Sequence, residues 1–213
     1  MKDAELIDAV ANSRVFAVVR AQSAESAVRA AEAAIVGGIR LLEVALATPG
    51  SFRVISDLRH RYGDRAWIGA GSVTTHDQMD RAIKSGAQFV SMPHTSNALI
   101  DACRRSLVPP IVGALTPTEI ANAWTIGVPL ISVFPASSIG GPEYIAALTS
   151  RLSDIRITVA GGVGSDNIVE YLHAGAFAIS VGGRLFTSGD LKNENYAAIA
   201  ERARGIMRLA GVG

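Results

Sequence analysis

Apolar and polar positions along the chain come in blocks. An Ala-rich stretch with helical spacing leads to a glycine, and then to a short β-branched run that ends in small or polar residues. The segments "SAVRAAEAAIVGGIRLLEVAL", "QMDRAIKSGAQFVSM", "EIANAWTIGVPLISVF" and "NIVEYLHAGAFAISVGG" repeat this unit. Gly38, Gly86, Gly127 and Gly175 stand where each helix would stop, which predicts the left-handed backbone of a helix C′ position. The strand runs are nearly continuous in apolar residues, as expected of a parallel sheet covered by helices. Eight such runs are predicted, at residues 15–19, 41–46, 66–70, 88–92, 109–114, 129–134, 156–160 and 176–181. Eight strands alternating with helices predict a (β/α)8 TIM barrel, one domain over residues 1–213, with a helix at about 3–12 capping its bottom. A doubly wound open sheet shares the alternation and is the competing arrangement.

Composition narrows the class of partner. Lys+Arg 20 against Asp+Glu 19 leaves a net charge of +1, which gives no footprint for nucleic acid or a membrane surface. The apolar runs fall short of the roughly 18 residues a membrane span needs, and the first segment carries Asp3 and Glu5, unlike a signal peptide. A single cysteine, Cys103, allows neither a disulfide framework nor a Cys-based metal site, which fits the reducing cytoplasm. The expected partner is a small molecule, with no cofactor and no metal.

In a barrel the chemistry gathers at the C-terminal ends of the strands. The seventh strand ends in "AGGVGSDN", where Gly161 and Gly162 open toward a helix that Ser165 or Asp166 would cap. The eighth ends in "SVGGRLF", with Gly182, Gly183 and Arg184. Freed backbone amides there, with a forked guanidinium beside them, read as a phosphate site; tight turns are the plainer explanation. Glu43 lies inside the apolar "LLEVAL", a place for a proton-transferring carboxyl or for an ion pair with Arg20. Arg20 closes the first strand and reads either as that partner or as a contact for a substrate carboxylate. Ser72 offers a hydroxyl to a substrate or caps a helix starting near Thr75. His94, on the loop after the fourth strand, reads more readily as a solvated histidine than as a ligand contact.

Taken together, "VFAVVRAQSAESA", "GGIRLLEVALATPG", "IGAGSVTT", "GAQFVSMPHT", "ALTPTEI", "VFPASSIGGPEY", "AGGVGSDN" and "VGGRLF" resemble the 2-keto-3-deoxy-6-phosphogluconate (KDPG) / 4-hydroxy-2-oxoglutarate (KHG) aldolase family over nearly the whole chain. The resemblance implies a class I aldolase barrel, usually a homotrimer, that cleaves a 2-keto-4-hydroxy acid to pyruvate and an aldehyde. It implies Glu43 as the proton-moving glutamate, Ser72 standing where the family usually has a threonine, and Gly161, Gly162, Gly182 and Gly183 as phosphate glycines; the candidate substrate contacts are Arg20, Ser72, Pro93, His94 and Phe134.

The family's Schiff-base lysine on the sixth strand has no counterpart. Its position is Ser132 in "SVFPA", whose alternation turns Ser132 and Phe134 inward and Val133 toward the helices. The only lysines are Lys2, Lys84 and Lys192, expected respectively in the N-terminal segment, on an outer helix face and in a post-barrel loop, all out of reach of the barrel mouth. Ala45, Ala47, Met92 and Ala160 also replace more polar residues usual in the family. A serine hydroxyl forms no iminium, so lysine-dependent catalysis is not expected. Three functions compete: an aldolase-like lyase on 2-keto (phospho)sugar acids, a sugar-phosphate-binding protein without turnover, and a lyase or decarboxylase in which a divalent metal polarises the keto group.

Overall fold

The computed structural model describes residues 2–212. Eight parallel strands close into one barrel in chain order: β1 (Val15–Val19), β2 (Leu41–Ala45), β3 (Trp67–Gly71), β4 (Val90–Met92), β5 (Pro110–Gly113), β6 (Leu130–Val133), β7 (Ile157–Ala160) and β8 (Ala178–Val181). Closure rules out the open sheet. The helices are α1 (Lys2–Ser13), α2 (Ala24–Val36), α3 (Ser51–Tyr62), α4 (His76–Lys84), α5 (Asn97–Arg105), α6 (Pro117–Thr125), α7 (Gly141–Thr149), α8 (Ile168–His173), α9 (Ser188–Lys192) and α10 (Tyr196–Leu209), with a 3-10 turn at Ala136–Ile139. Gly38, Gly86, Gly127 and Gly175 have positive φ of 103°, 92°, 79° and 92°, so each helix ends on the left-handed residue its sequence predicts.

Side chains at alternate strand positions face the barrel axis, and in a barrel each horizontal layer takes four of them from alternate strands. The strand register identifies these layers. Glu43 pairs with Gly69 on β3, and Ala70 pairs with Val90, which places Phe89 beside Gly69 and Ser91 two residues higher, at the level of Glu43. Ser91 leads through Ile111 and Leu130 to Ser132, and Ser132 leads through Thr158 and Ala178 to Ser180. Ser180 leads through Phe16 and Leu41 back to Glu43, closing the circuit.

The inward layers, from the bottom upward, are therefore Leu41, Phe89, Leu130 and Ala178; then Phe16, Gly69, Ile111 and Thr158; then Glu43, Ser91, Ser132 and Ser180; then Val18, Gly71, Gly113 and Ala160. The apolar members of the lowest two layers form one buried cluster with Leu6 and Val10 of α1, which plugs the barrel from below. Phe16 and Phe89 meet edge to face with ring centroids 5.6 Å apart. Outward residues such as Val44, Val90, Met92, Val112, Ile131, Val133, Val159 and Ile179 pack with the helices into the larger apolar shell. No helix among the described residues is long and apolar enough to cross a membrane.

Candidate active site

Above the two closed layers the barrel opens into a cavity of about 1460 Å³ at the C-terminal ends of the strands. Its floor is the third layer. Glu43, Ser91, Ser132 and Ser180 all line it, and the fourth layer leaves them accessible because its members are small. Gly71 must be small: a Cβ there would stand 2.0 Å from Glu43 Oε1. Gly113 is similarly confined, since its Cβ would meet the Pro93 backbone at 2.3 Å.

Burial in this floor lifts the Glu43 carboxyl from 4.5 to about 7, and a hydrogen bond from the Ser91 hydroxyl opposes part of that rise. No cation contributes. Arg20 is exposed at the end of β1 and lines the cavity, but it makes no ion pair with Glu43. Burial, and not pairing, thus governs this carboxyl. Its proton is exchangeable near neutral pH, the range in which a general acid/base works best.

Ser132 faces the cavity and Phe134 lies at its mouth, 57% exposed, as their shared parity requires. In an eight-stranded barrel β6 stands opposite β2, so Ser132 and Glu43 face each other across the axis. Ser72 lines the wall in a left-handed conformation (φ 62°). It does not cap α4, because Thr75 does so by accepting from Gln78 N. Pro93 lines the cavity, whereas His94 is exposed on the following loop and lies outside the lining residues. Of the other positions that depart from the family pattern, Ala47 and Ala160 line the cavity. Met92 points away into the shell under the helices, leaving Ser91 to face inward.

The two glycine pairs sit together on one side of the mouth. Gly161 and Gly162 have φ of 89° and 80°, and a Cβ on Gly162 would stand 2.0 Å from Ser137 Oγ, so the backbone itself demands glycine there. Gly182 and Gly183 differ. Gly183 would meet nothing within 4 Å and neither has positive φ, so the protein's own packing does not require glycine at either position.

One expectation about these loops is corrected. Gly161 and Gly162 do not run straight into a helix: α8 starts at Ile168, and its N-cap is Asn167, whose side chain accepts from Gly164 N (2.9 Å) and donates to Gly162 O (3.0 Å). Neither Ser165 nor Asp166 is the cap. Arg184 lines the cavity with its guanidinium half-exposed: its Nη1 lies 2.5 and 2.6 Å from the two carboxylate oxygens of Asp166, while its Nε and Nη2 make no hydrogen bond to other described residues. The guanidinium thereby braces the β8 loop against the β7 loop and holds the Asp166 carboxyl below its ordinary range.

Among the cavity residues that sequence reasoning missed, three bear on the chemistry. Ser91 and Ser180 are both 8% exposed, on strands read only as apolar, and Lys192 lines the rim. Lys192 belongs to α9, not to a loop, and is exposed there. Among the described residues no three His, Cys, Asp or Glu side chains converge.

Fold and site define a (β/α)8 barrel with a near-neutral carboxyl at the floor of its C-terminal mouth. The family model for KDPG and KHG aldolase matches residues 6–202, and the chain belongs to that family. It is 34% identical over 167 residues to the 2-dehydro-3-deoxy-phosphogluconate aldolase of Treponema pallidum (strain Nichols), covering 78% of this chain and 79% of that one. The KDPG aldolase of Legionella pneumophila, solved with pyruvate captured as a covalent carbinolamine, superposes with a TM-score of 0.86 at 28% identity, covering 97% and 98% of the two chains. A cube-shaped, highly porous protein cage designed by fusing symmetric oligomeric domains gives 0.85 at 28% identity, covering 93% of this chain and 72% of that one.

Proposed function

We propose that this barrel cleaves a phosphorylated 2-keto-3-deoxy sugar acid to pyruvate and an aldehyde phosphate, with Glu43 moving the protons and no covalent lysine adduct. The observation that carries this reading is a carboxyl lifted to about 7 at the cavity floor, opposite a serine. Glu43 takes the proton of the C4 hydroxyl, the C3–C4 bond breaks as the aldehyde forms, and the electron pair passes into the C2 carbonyl to give the pyruvate enolate. The protonated Glu43 then returns its proton to C3. The phosphate is assigned to the amides of Gly161, Gly162, Gly182 and Gly183, a reading supported by the open space around Gly183. A homotrimer is part of the proposal, supported by the likeness to a barrel used as a symmetric oligomeric domain. A cytoplasmic setting accords with the single buried thiol of Cys103.

The second reading, sugar-phosphate binding without turnover, is favoured by Ser132 itself, which supplies no electron sink. Pyruvate release from 2-keto-3-deoxy-6-phosphogluconate, with and without a chelator, separates the two. Release that survives the chelator is expected. Binding without release would establish the second reading. Borohydride with pyruvate should add no mass to the wild type, while Ser132→Lys should gain a pyruvyl adduct. An adduct on wild-type Lys192 or Lys84 would overturn the lysine-free route.

A further inference from the structure

We infer that Ser132 and Ser180 are catalytic residues: their hydroxyls hold the C2 keto oxygen and carry the enolate charge that a lysine iminium would otherwise absorb. The inference rests on the lyase reading above and assigns the groups that make it chemically workable.

The register places one acid and three hydroxyls in a single layer, with Glu43 from β2 and serines from β4, β6 and β8. The three serines do not share one task. Ser91 is engaged with Glu43. Ser132 and Ser180 make no side-chain hydrogen bond to other described residues, yet Ser180 is 92% buried and both face the cavity. Both hydroxyls open onto the cavity and have no protein partner, so each is free to donate to a ligand held there.

Thr158 adds an independent observation. It stands one layer lower on β7, paired in register with Ser132 on one side and Ala178 on the other, and its Oγ1 is buried with no hydrogen-bond partner. β6 and β8 thus bring two cavity-facing hydroxyls to one sector of the floor, and the partnerless Thr158 hydroxyl lies in the sealed layer beneath them. Ser132 lies across the axis from Glu43 and Ser180 a quarter-turn from it, and the sector between them lies beneath the glycine loops of β7 and β8.

A ligand anchored by phosphate at those loops and reaching down would set its keto oxygen among these hydroxyls. Its C3 and C4 then face Glu43. When the C3–C4 bond breaks, the carbonyl π electrons move onto the C2 oxygen, and donors already aimed at that oxygen stabilise it without reorganising. The carbonyl re-forms when C3 takes the proton from Glu43, so no other reactant is consumed.

The test measures pyruvate release from 2-keto-3-deoxy-6-phosphogluconate and, as an independent half-reaction, exchange of pyruvate methyl protons in D2O followed by NMR. Ser132→Ala and Ser180→Ala should each lower kcat by about 10²-fold, the cost of one lost oxyanion donor, and the double variant by more. KM and inorganic phosphate affinity should stay within about threefold of wild type, a split that a merely structural role would not produce. Ser132→Thr, which keeps the hydroxyl, should recover most of the rate. A folded Ser132→Ala or Ser180→Ala protein that keeps wild-type kcat and exchange overturns the inference and leaves the lyase reading standing. A wild type that binds phosphate but neither releases pyruvate nor exchanges methyl protons overturns both.

Discussion

Glu43 is costly to the fold because its carboxyl holds a proton more tightly when folded than when unfolded. Between its ordinary value of 4.5 and about 7 the folded chain binds the extra proton, so raising the pH through that window removes stability. Glu43→Gln abolishes the effect. Chemical denaturation should show the variant gaining on the wild type by about 3 kcal/mol as pH rises from 4.5 to 8, given 1.36 kcal/mol per unit of pKa shift. Equal stability differences at both pH values would mean that the carboxyl is not perturbed. Pyruvate release should fall below about 1% of wild type in the same variant, because an amide cannot take the hydroxyl proton. Glu43 was legible in the sequence since a carboxylate inside an apolar strand breaks the pattern. Ser91 and Ser180 were not, because a serine interrupts an apolar run too weakly to be noticed until the register sets it beside Glu43.

Two glycines on β3 separate packing from chemistry within one element. A Cβ on Gly69 would stand 2.3 Å from the Phe89 ring in the closed layers, whereas one on Gly71 would stand 2.0 Å from the Glu43 carboxylate. Gly69→Ala should therefore destabilise the barrel by about 1–3 kcal/mol, the usual cost of overpacking, with the Glu43 titration unchanged. Gly71→Ala should displace the carboxyl. NMR titration of Glu43 alongside denaturation checks both, and a Gly71→Ala protein with an unmoved titration would show that the side chain has room to step aside. Every strand was legible from its apolar run, and β1 was placed to the residue. β4 was read as 88–92 but starts at Val90, and β8 was read as 176–181 but starts at Ala178, because apolar character alone does not mark where ladder pairing begins. The loop after β7 was misread because Ser, Asp and Asn all favour caps, and only the fold shows Asn167 taking that place while Asp166 turns to Arg184.

At the scale of the whole molecule, alternation and chain length sufficed for the barrel, while assembly leaves no comparable trace in one chain's hydrophobic pattern. The proposed homotrimer predicts a light-scattering mass three times the 22.2 kDa of the chain at micromolar concentration. A monomer mass would sink the assembly and leave the barrel untouched. Lys192 marks the same limit for the site: its distance from the barrel in sequence gave no hint that α9 returns to the rim. The stacking of layers has an evolutionary consequence. Two closed layers and the helix α1 seal the barrel beneath the floor, and small residues stand above it, so Ser132, Ser180 and Ser91 border the open cavity and not the sealed interior. Selection can then alter the reacting groups with little penalty in folding, and a lineage can trade an amine for a hydroxyl at position 132 without passing through an unfolded ancestor.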